Sequence, residues 1–256
     1  MLLFSRDLGG AGRPPLVILH GMLGSSRNWQ TAGRDLAGQF HVFALDLRNH
    51  GGSPHAAEMT YASMVADVIA WLDARQLGRV TLLGHSMGGK VAMLVACRHP
   101  ERVTGLIVVD IAPKDYFWPA HREEFAALNA LDLAHLASRA AADKHLESRI
   151  SHWGMRKFLL TNLEQDAAGH WRWTINLPAL TAALEAMEAN PLAPSDQFTG
   201  AALFITGDRS PYVGPGDHAA IRETFPAARI VTLPSGHNPH TEAREAFVAL
   251  VATATQ

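Results

Sequence analysis

The stretch that most constrains the fold is Gly84-His85-Ser86-Met87-Gly88-Gly89. An apolar run, Val80-Thr81-Leu82-Leu83, precedes it, and a helix-forming run, Lys90-Val91-Ala92-Met93-Leu94-Val95-Ala96, follows. The pattern reads as strand, tight turn and helix with a serine at the apex, the context in which a G-x-S-x-G match carries meaning. So sharp a turn strains the serine's backbone angles. It also brings strand and helix close enough that only glycine fits at Gly84 and Gly88. A glycine-rich turn ending an ordinary βα unit is the plainer account, but the flanks on both sides favour the strained serine.

A continuous β-branched run at 15–19, ending at His20-Gly21, suits a strand buried on both faces of a parallel sheet. Further strands are expected at 41–45, closing at Asp46; at 102–109, ending at Asp110; and at 201–206 and 229–233. Helical patterns lie between them: a surface helix within 25–38, a helix after Thr60 with Met64, Val65, Val68, Ile69 and Leu72 on one face, and a last one from about 242 to 251. The alternation breaks over 113–198. That region holds four of the six tryptophans (Trp118, Trp153, Trp171 and Trp173), alanine-rich helical stretches at 125–142 and 180–189, and one short strand-like run at 171–175. The expected class is α/β, a doubly wound, mostly parallel sheet with right-handed crossovers. Residues 1–112 and 199–256 would form its core domain, and 113–198 an inserted helical cap.

Composition sets limits on partners. A formal charge of −2 gives no reason to expect nucleic acid or an anionic membrane surface. No apolar run approaches membrane-spanning length, and residues 1–7 lack the features of a signal peptide. The one cysteine, Cys97, excludes an internal disulfide and reads as a small buried thiol. A cytoplasmic protein is expected.

A serine is a poor nucleophile near neutral pH unless a base, itself oriented by an acid, stands beside it. Ser86 is the candidate nucleophile. Among 14 histidines, His237 lies just after the last strand, where a loop can swing over the serine. His240 is the alternative, but it begins the final helix and is expected to cap it or face solvent. The acid is Asp110 or Asp208. The commoner position for it, three residues beyond Gly207, is Ser210. Asp110 is favoured because a carboxylate ending an apolar strand is costly without a partner such as an imidazole. An oxyanion hole needs two N–H donors. The amide of Met87 is one, and Met22, with Leu23 as the alternative, is the other. Leu23, Trp118, Phe158 and Asn238 are candidate pocket residues, although Phe158 at helical spacing also suits plain packing. His20 and His85 are expected to orient loops. His20, His50, His85 and Asp46 lack compact ligand spacing, so neither a metal nor any other cofactor is expected.

Four motifs together resemble the α/β-hydrolase superfamily: His20-Gly21-Met22-Leu23-Gly24-Ser25, Asp46-Leu47-Arg48-Asn49-His50-Gly51, Gly84 to Lys90, and Gly236-His237. Val108-Val109-Asp110-Ile111-Ala112-Pro113, Arg156-Lys157-Phe158-Leu159-Leu160-Thr161-Asn162-Leu163 and Gly207-Asp208-Arg209-Ser210-Pro211-Tyr212-Val213 resemble the narrower group of YbfF-type esterases with their eukaryotic abhydrolase relatives. The resemblance implies a serine carboxylic-ester hydrolase, an esterase or thioesterase that cleaves a small acyl ester or thioester through an acyl-enzyme, with Asp110 as the acid. Two positions depart from the group. Asn238 stands where an aromatic residue is usual, which would widen or polarise the pocket mouth, and Asp208 stands where the group has no acid. Other activities of the same triad are C–C bond hydrolysis, lactone opening and haloperoxidase-like chemistry. A ligand-sensing protein of low turnover is the alternative outside catalysis.

Overall fold

The computed structural model describes residues 1–254. In chain order it contains β1 (Ser5–Asp7), β2 (Pro15–Leu19), α1 (Gln30–Leu36), β3 (His41–Leu45), α2 (Tyr61–Ala74), β4 (Val80–His85), α3 (Met87–Arg98) and β5 (Val103–Val109). After β5 the chain leaves the sheet for α4 (Pro119–Asn129), α5 (Arg139–Glu147), α6 (Trp153–Leu160), a hairpin of β6 (Leu163–Gln165) and β7 (Trp171–Trp173), and α7 (Leu177–Glu188). It returns through β8 (Ala202–Gly207), α8 (His218–Thr224), β9 (Ala228–Leu233), α9 (Pro239–Glu242) and α10 (Arg244–Ala252).

The main sheet has the order β1-β3-β2-β4-β5-β8-β9. Its pairs are parallel except β1 with β3. From β2 the chain turns to β3 on one side and later to β4 on the other. The carboxyl ends of β2 and β4 therefore flank the point where winding reverses, where open α/β sheets form their crevice. The loop after β2 and the turn after β4 meet there.

Side-chain alternation along each strand feeds two apolar layers. Val17 and Leu19 join α2 and α3 on one face, whereas Leu16 and Ile18 join Trp29, Leu36 and Phe247 on the other. The first layer continues without a break into Phe125, Leu128, Leu146, Leu160, Leu180 and Leu184 of α4 to α7. The excursion thus shares the core of the sheet.

Local chemistry fixes several helix starts. The Thr60 hydroxyl accepts from the Ser63 amide at 3.1 Å, the Ser138 hydroxyl accepts from the Ala141 amide at 3.1 Å, and Pro119 opens α4. Three details differ from the sequence reading. The stretch 125–142 is not one helix. It breaks after Asn129, where Asp132 accepts from the Ala134 amide at 3.1 Å, and restarts at the Ser138 cap. The last helix is divided at Ala243 into α9 and α10. Strand β1 carries no apolar alternation and exists through backbone pairing of Ser5 to Asp7 with the edge of β3.

Candidate active site

Ser86 joins β4 to α3 with φ 52° and ψ −119°, a conformation that costs a non-glycine residue. Its neighbours hold it there. The Ser86 amide donates to the Val109 carbonyl at 3.1 Å, and its carbonyl accepts from the amides of Gly89 and Lys90 at 2.8 and 3.1 Å. A Cβ at Gly84 would lie 2.1 Å from the Gly88 carbonyl oxygen, and one at Gly88 would lie 2.5 Å from the carbonyl oxygens of Leu19 and His20. The crossing is closed to any side chain at either position.

Asp110 ends β5 with φ 51°, and its amide donates to the Ile205 carbonyl at 2.8 Å. The residue is 1% exposed. One carboxylate oxygen accepts from the Gly207 amide at 3.0 Å, and the other meets His237 Nδ1 at 2.7 Å and also accepts from the Ser210 hydroxyl. Such charge-assisted bonds are what a buried carboxylate needs. Asp208, the alternative acid, turns outward instead. Its carboxylate is half exposed and pairs with Arg209 at 3.2 Å. The reason lies in the strand register: the Asp208 amide is committed to the Leu233 carbonyl at 2.9 Å, and the chain first turns back toward Asp110 at Ser210.

His237 is held from two more sides. The ring of Tyr212 stacks on it at 3.7 Å between centroids and 14° between planes. Its carbonyl accepts from His85 Nε2 at 2.8 Å, which ties the histidine loop to the residue before Ser86. Burial, then the neighbouring His237, pull the His85 imidazole well below its ordinary pKa, so it is neutral and donates through Nε2. His240 neither caps α10 nor faces solvent. It is buried, stacked on Trp29 at 4.1 Å, and desolvation lowers its pKa to about 3. The short turn opened by Pro239 carries it inward.

In the loop after β2 the two candidate oxyanion donors differ. Leu23 N–H donates to His50 Nε2 at 3.2 Å, so this alternative donor is already spent. Among the described residues no acceptor is found for the amides of Met22 and of Met87, the first residue of α3. Both residues line a cavity with Ser86. His20 and His50 are structural: each has both ring nitrogens engaged, His20 with the Gly21 carbonyl and Leu47 amide, His50 with the Arg48 carbonyl and Leu23 amide. Among the described residues no three His, Cys, Asp or Glu side chains gather as a metal site.

The cavity at Ser86 measures about 20 Å³, and Lys90, Trp118, His121, Glu188 and Tyr212 are among its walls. A single water needs about 10–15 Å³ by this measure. The enclosed part of the site thus holds about one water beside Ser86, and the cavity is partly open to solvent. Of the four pocket residues read from the sequence, Trp118 alone is in this wall. Leu23 is buried in the apolar layer with φ 60°, Phe158 packs against the same layer from α6, and Asn238 is exposed at the start of α9.

Sequence reasoning did not assign roles to Lys90 and Tyr212, although Lys90 lies one helical turn beyond Ser86. Lys90 is 1% exposed, and its Nζ donates to the Glu188 and Ala189 carbonyls at 2.8 and 2.6 Å. Burial lowers its pKa to about 8. Cys97 is half-buried and remote from this chemistry, its thiol pushed up to about 12 mainly by burial.

The α/β hydrolase fold family matches residues 14–243. The chain is 37% identical over 251 residues to the mouse sn-1-specific diacylglycerol lipase ABHD11, covering 95% of this chain and 81% of that protein. It is 34% identical over 238 residues to esterase YbfF of Escherichia coli, covering 93% and 91%. A solved marine microorganism esterase superposes with a TM-score of 0.95 at 35% identity, covering 98% of each chain. The strained serine, the parallel sheet and these relatives agree: the chain belongs to the α/β-hydrolase family, in its YbfF- and ABHD11-like esterase group, and is a serine ester hydrolase.

Proposed function

We propose that Ser86, Asp110 and His237 form the catalytic triad for two-step cleavage of acyl esters and thioesters. The observation that carries this reading is the 2.7 Å contact between Asp110 and His237 Nδ1, in a loop tied at 2.8 Å through His85 to the elbow that strains Ser86. Asp110 keeps the Nδ1 proton of His237 in place, so Nε2 is free to take the proton from Ser86. Ser86 then attacks the carbonyl. The amides of Met22 and Met87 hold the oxyanion, with the latter aided by the positive end of α3. The alcohol or thiol leaves with the proton from His237. Water, activated by the same base, frees the acid. Residues 113–198 act as the cap that selects the substrate, with Trp118, His121 and Glu188 supplying part of the wall beside Ser86.

Hydrolysis of p-nitrophenyl butyrate tests the triad. Ser86→Ala should lose about 10⁶-fold in kcat. Asp110→Asn should lose about 10⁴-fold, as when a triad imidazole is held in the wrong tautomer, whereas Asp208→Asn should stay near wild type. A larger loss from Asp208→Asn would reassign the acid.

A further inference from the structure

A second cavity lies between α4 and the chain joining α5 to α6. It measures about 290 Å³ and is walled by Ala120, Glu123, Glu124, Arg149, His152 and Met155, among others. Glu124 is 9% exposed, and among the described residues no donor or cation is bonded to its carboxyl group. Burial alone raises its pKa to about 7, with no neighbour acting to lower it. A carboxylate removed from water without a partner is costly, and such groups in cavities commonly meet a ligand.

The other charged and titratable groups around it leave the negative charge unbalanced. Glu123, on the same helix, is exposed at the rim. Arg149 is exposed and makes no ion pair with either carboxylate among the described residues. His152 spends its Nδ1 accepting from the Met155 amide at 3.0 Å. Burial raises the Tyr212 phenol pKa, and the nearby charge of Glu124 adds to the rise. That same tyrosine stacks on His237. One turn before Glu124 on α4, His121 lines the cavity at Ser86. Side chains three residues apart on a helix are neighbours. Helix α4 thus lines both cavities.

The geometry points to the second cavity as the subsite for the alcohol half of the ester, selecting alcohols that bear an organic ammonium group. This rests on the triad reading above, since it takes Ser86 as the point of cleavage. The scissile carbonyl sits at Ser86, and the alcohol extends past α4 to the carboxylate of Glu124. The ammonium supplies the counter-charge that the protein withholds. The volume is ample for such a head, given the space one water needs.

Butyrylcholine and 3,3-dimethylbutyl butyrate have nearly the same shape and differ by one permanent charge. The ratio of their kcat/KM values, cation over neutral, isolates the subsite. At pH 8 it should fall about fivefold to tenfold in Glu124→Gln, the worth of one partly buried charge contact. Hydrolysis of the neutral ester should stay within about twofold. Because the charge on butyrylcholine does not titrate, the wild-type ratio should also decline between pH 8 and pH 6 as Glu124 takes up its proton. Arg149→Gln, at the exposed rim, should raise the ratio without a risk to folding. A ratio that Glu124→Gln leaves unmoved, or that Arg149→Gln leaves unmoved should the first variant not fold, overturns the subsite while Ser86→Ala still abolishes hydrolysis. Ester cleavage that survives in Ser86→Ala overturns both readings.

Discussion

Asp110 spends one carboxylate oxygen on two donors, the imidazole of His237 and the hydroxyl of Ser210. On the proposed triad the hydroxyl would spread the negative charge and fix the carboxylate plane, which makes Ser210 a positioning residue there. Ser210→Ala should lower kcat about tenfold with little change in KM, the size of one charge-assisted hydrogen bond. It should also move the acid limb of the kcat/KM profile to higher pH, because the unshared carboxylate holds the imidazolium more tightly. A variant with an unchanged profile would reduce Ser210 to loop packing. Ser210 was visible in the sequence as the position where many sheets of this kind carry the acid, but its identity gave no hint that it would serve Asp110. Ser86, Asp110 and His237 could be singled out in the sequence because each follows a strand, the first two long buried ones and the third the half-exposed β9, and the carboxyl edge of a parallel sheet gathers such positions. His240 was misread for a physical reason. Nothing in Asn238-Pro239-His240-Thr241 distinguishes a turn that faces water from one that drives a ring against Trp29.

At the scale of elements, α7 ends against the body of the protein through side chains that cap its last carbonyls. Tyr61 of α2 donates to the Met187 carbonyl at 2.7 Å, and Lys90 of α3 donates to those of Glu188 and Ala189. Removing the phenol leaves the Met187 carbonyl buried without its donor, at a cost of about 1–3 kcal/mol. Tyr61→Phe should therefore lower stability to urea by that amount and speed hydrogen exchange at the end of α7. Equal exchange in both proteins would mean that packing alone secures the helix. Long buried strands and the alternation of strand and helix were read correctly from runs and periodicity. The break within 125–142 was not, because alanine-rich sequence has no apolar face whose interruption would mark a boundary. Strand β1 owes its existence to a neighbour's unpaired edge, which no local pattern encodes.

For the whole molecule, pH dependence follows from histidines buried as neutral rings. His20, His50, His85 and His240 all have pKa values below the ordinary 6.5, with burial the first cause in each. A group depressed in the folded state binds protons more readily when unfolded. Stability from these rings is complete above about pH 6.5 and is lost as pH falls toward the depressed values. Each ring contributes a slope of up to about 1.4 kcal/mol per pH unit. The urea midpoint should hold between pH 8 and 7 and drop steeply between pH 6.5 and 5, before most carboxylates titrate. A midpoint independent of pH across that window would contradict neutral burial.

The exit and re-entry of the chain between β5 and β8 carry a consequence for descent. These strands are direct partners in the sheet, with Leu106 beside Ala202 and Val109 beside Ile205. The excursion thus begins and ends at one seam, and sequence can be lengthened, shortened or exchanged there without unthreading the sheet. Ser86 and the histidine loop lie outside that seam, whereas the walls contributed by α4 and α7 lie inside it. On the proposed reading of the triad and cap, a lineage could revise what it digests at a single locus while inheriting its chemistry intact. The constraint on such exchange is the apolar layer common to sheet and excursion, which any replacement would have to cover.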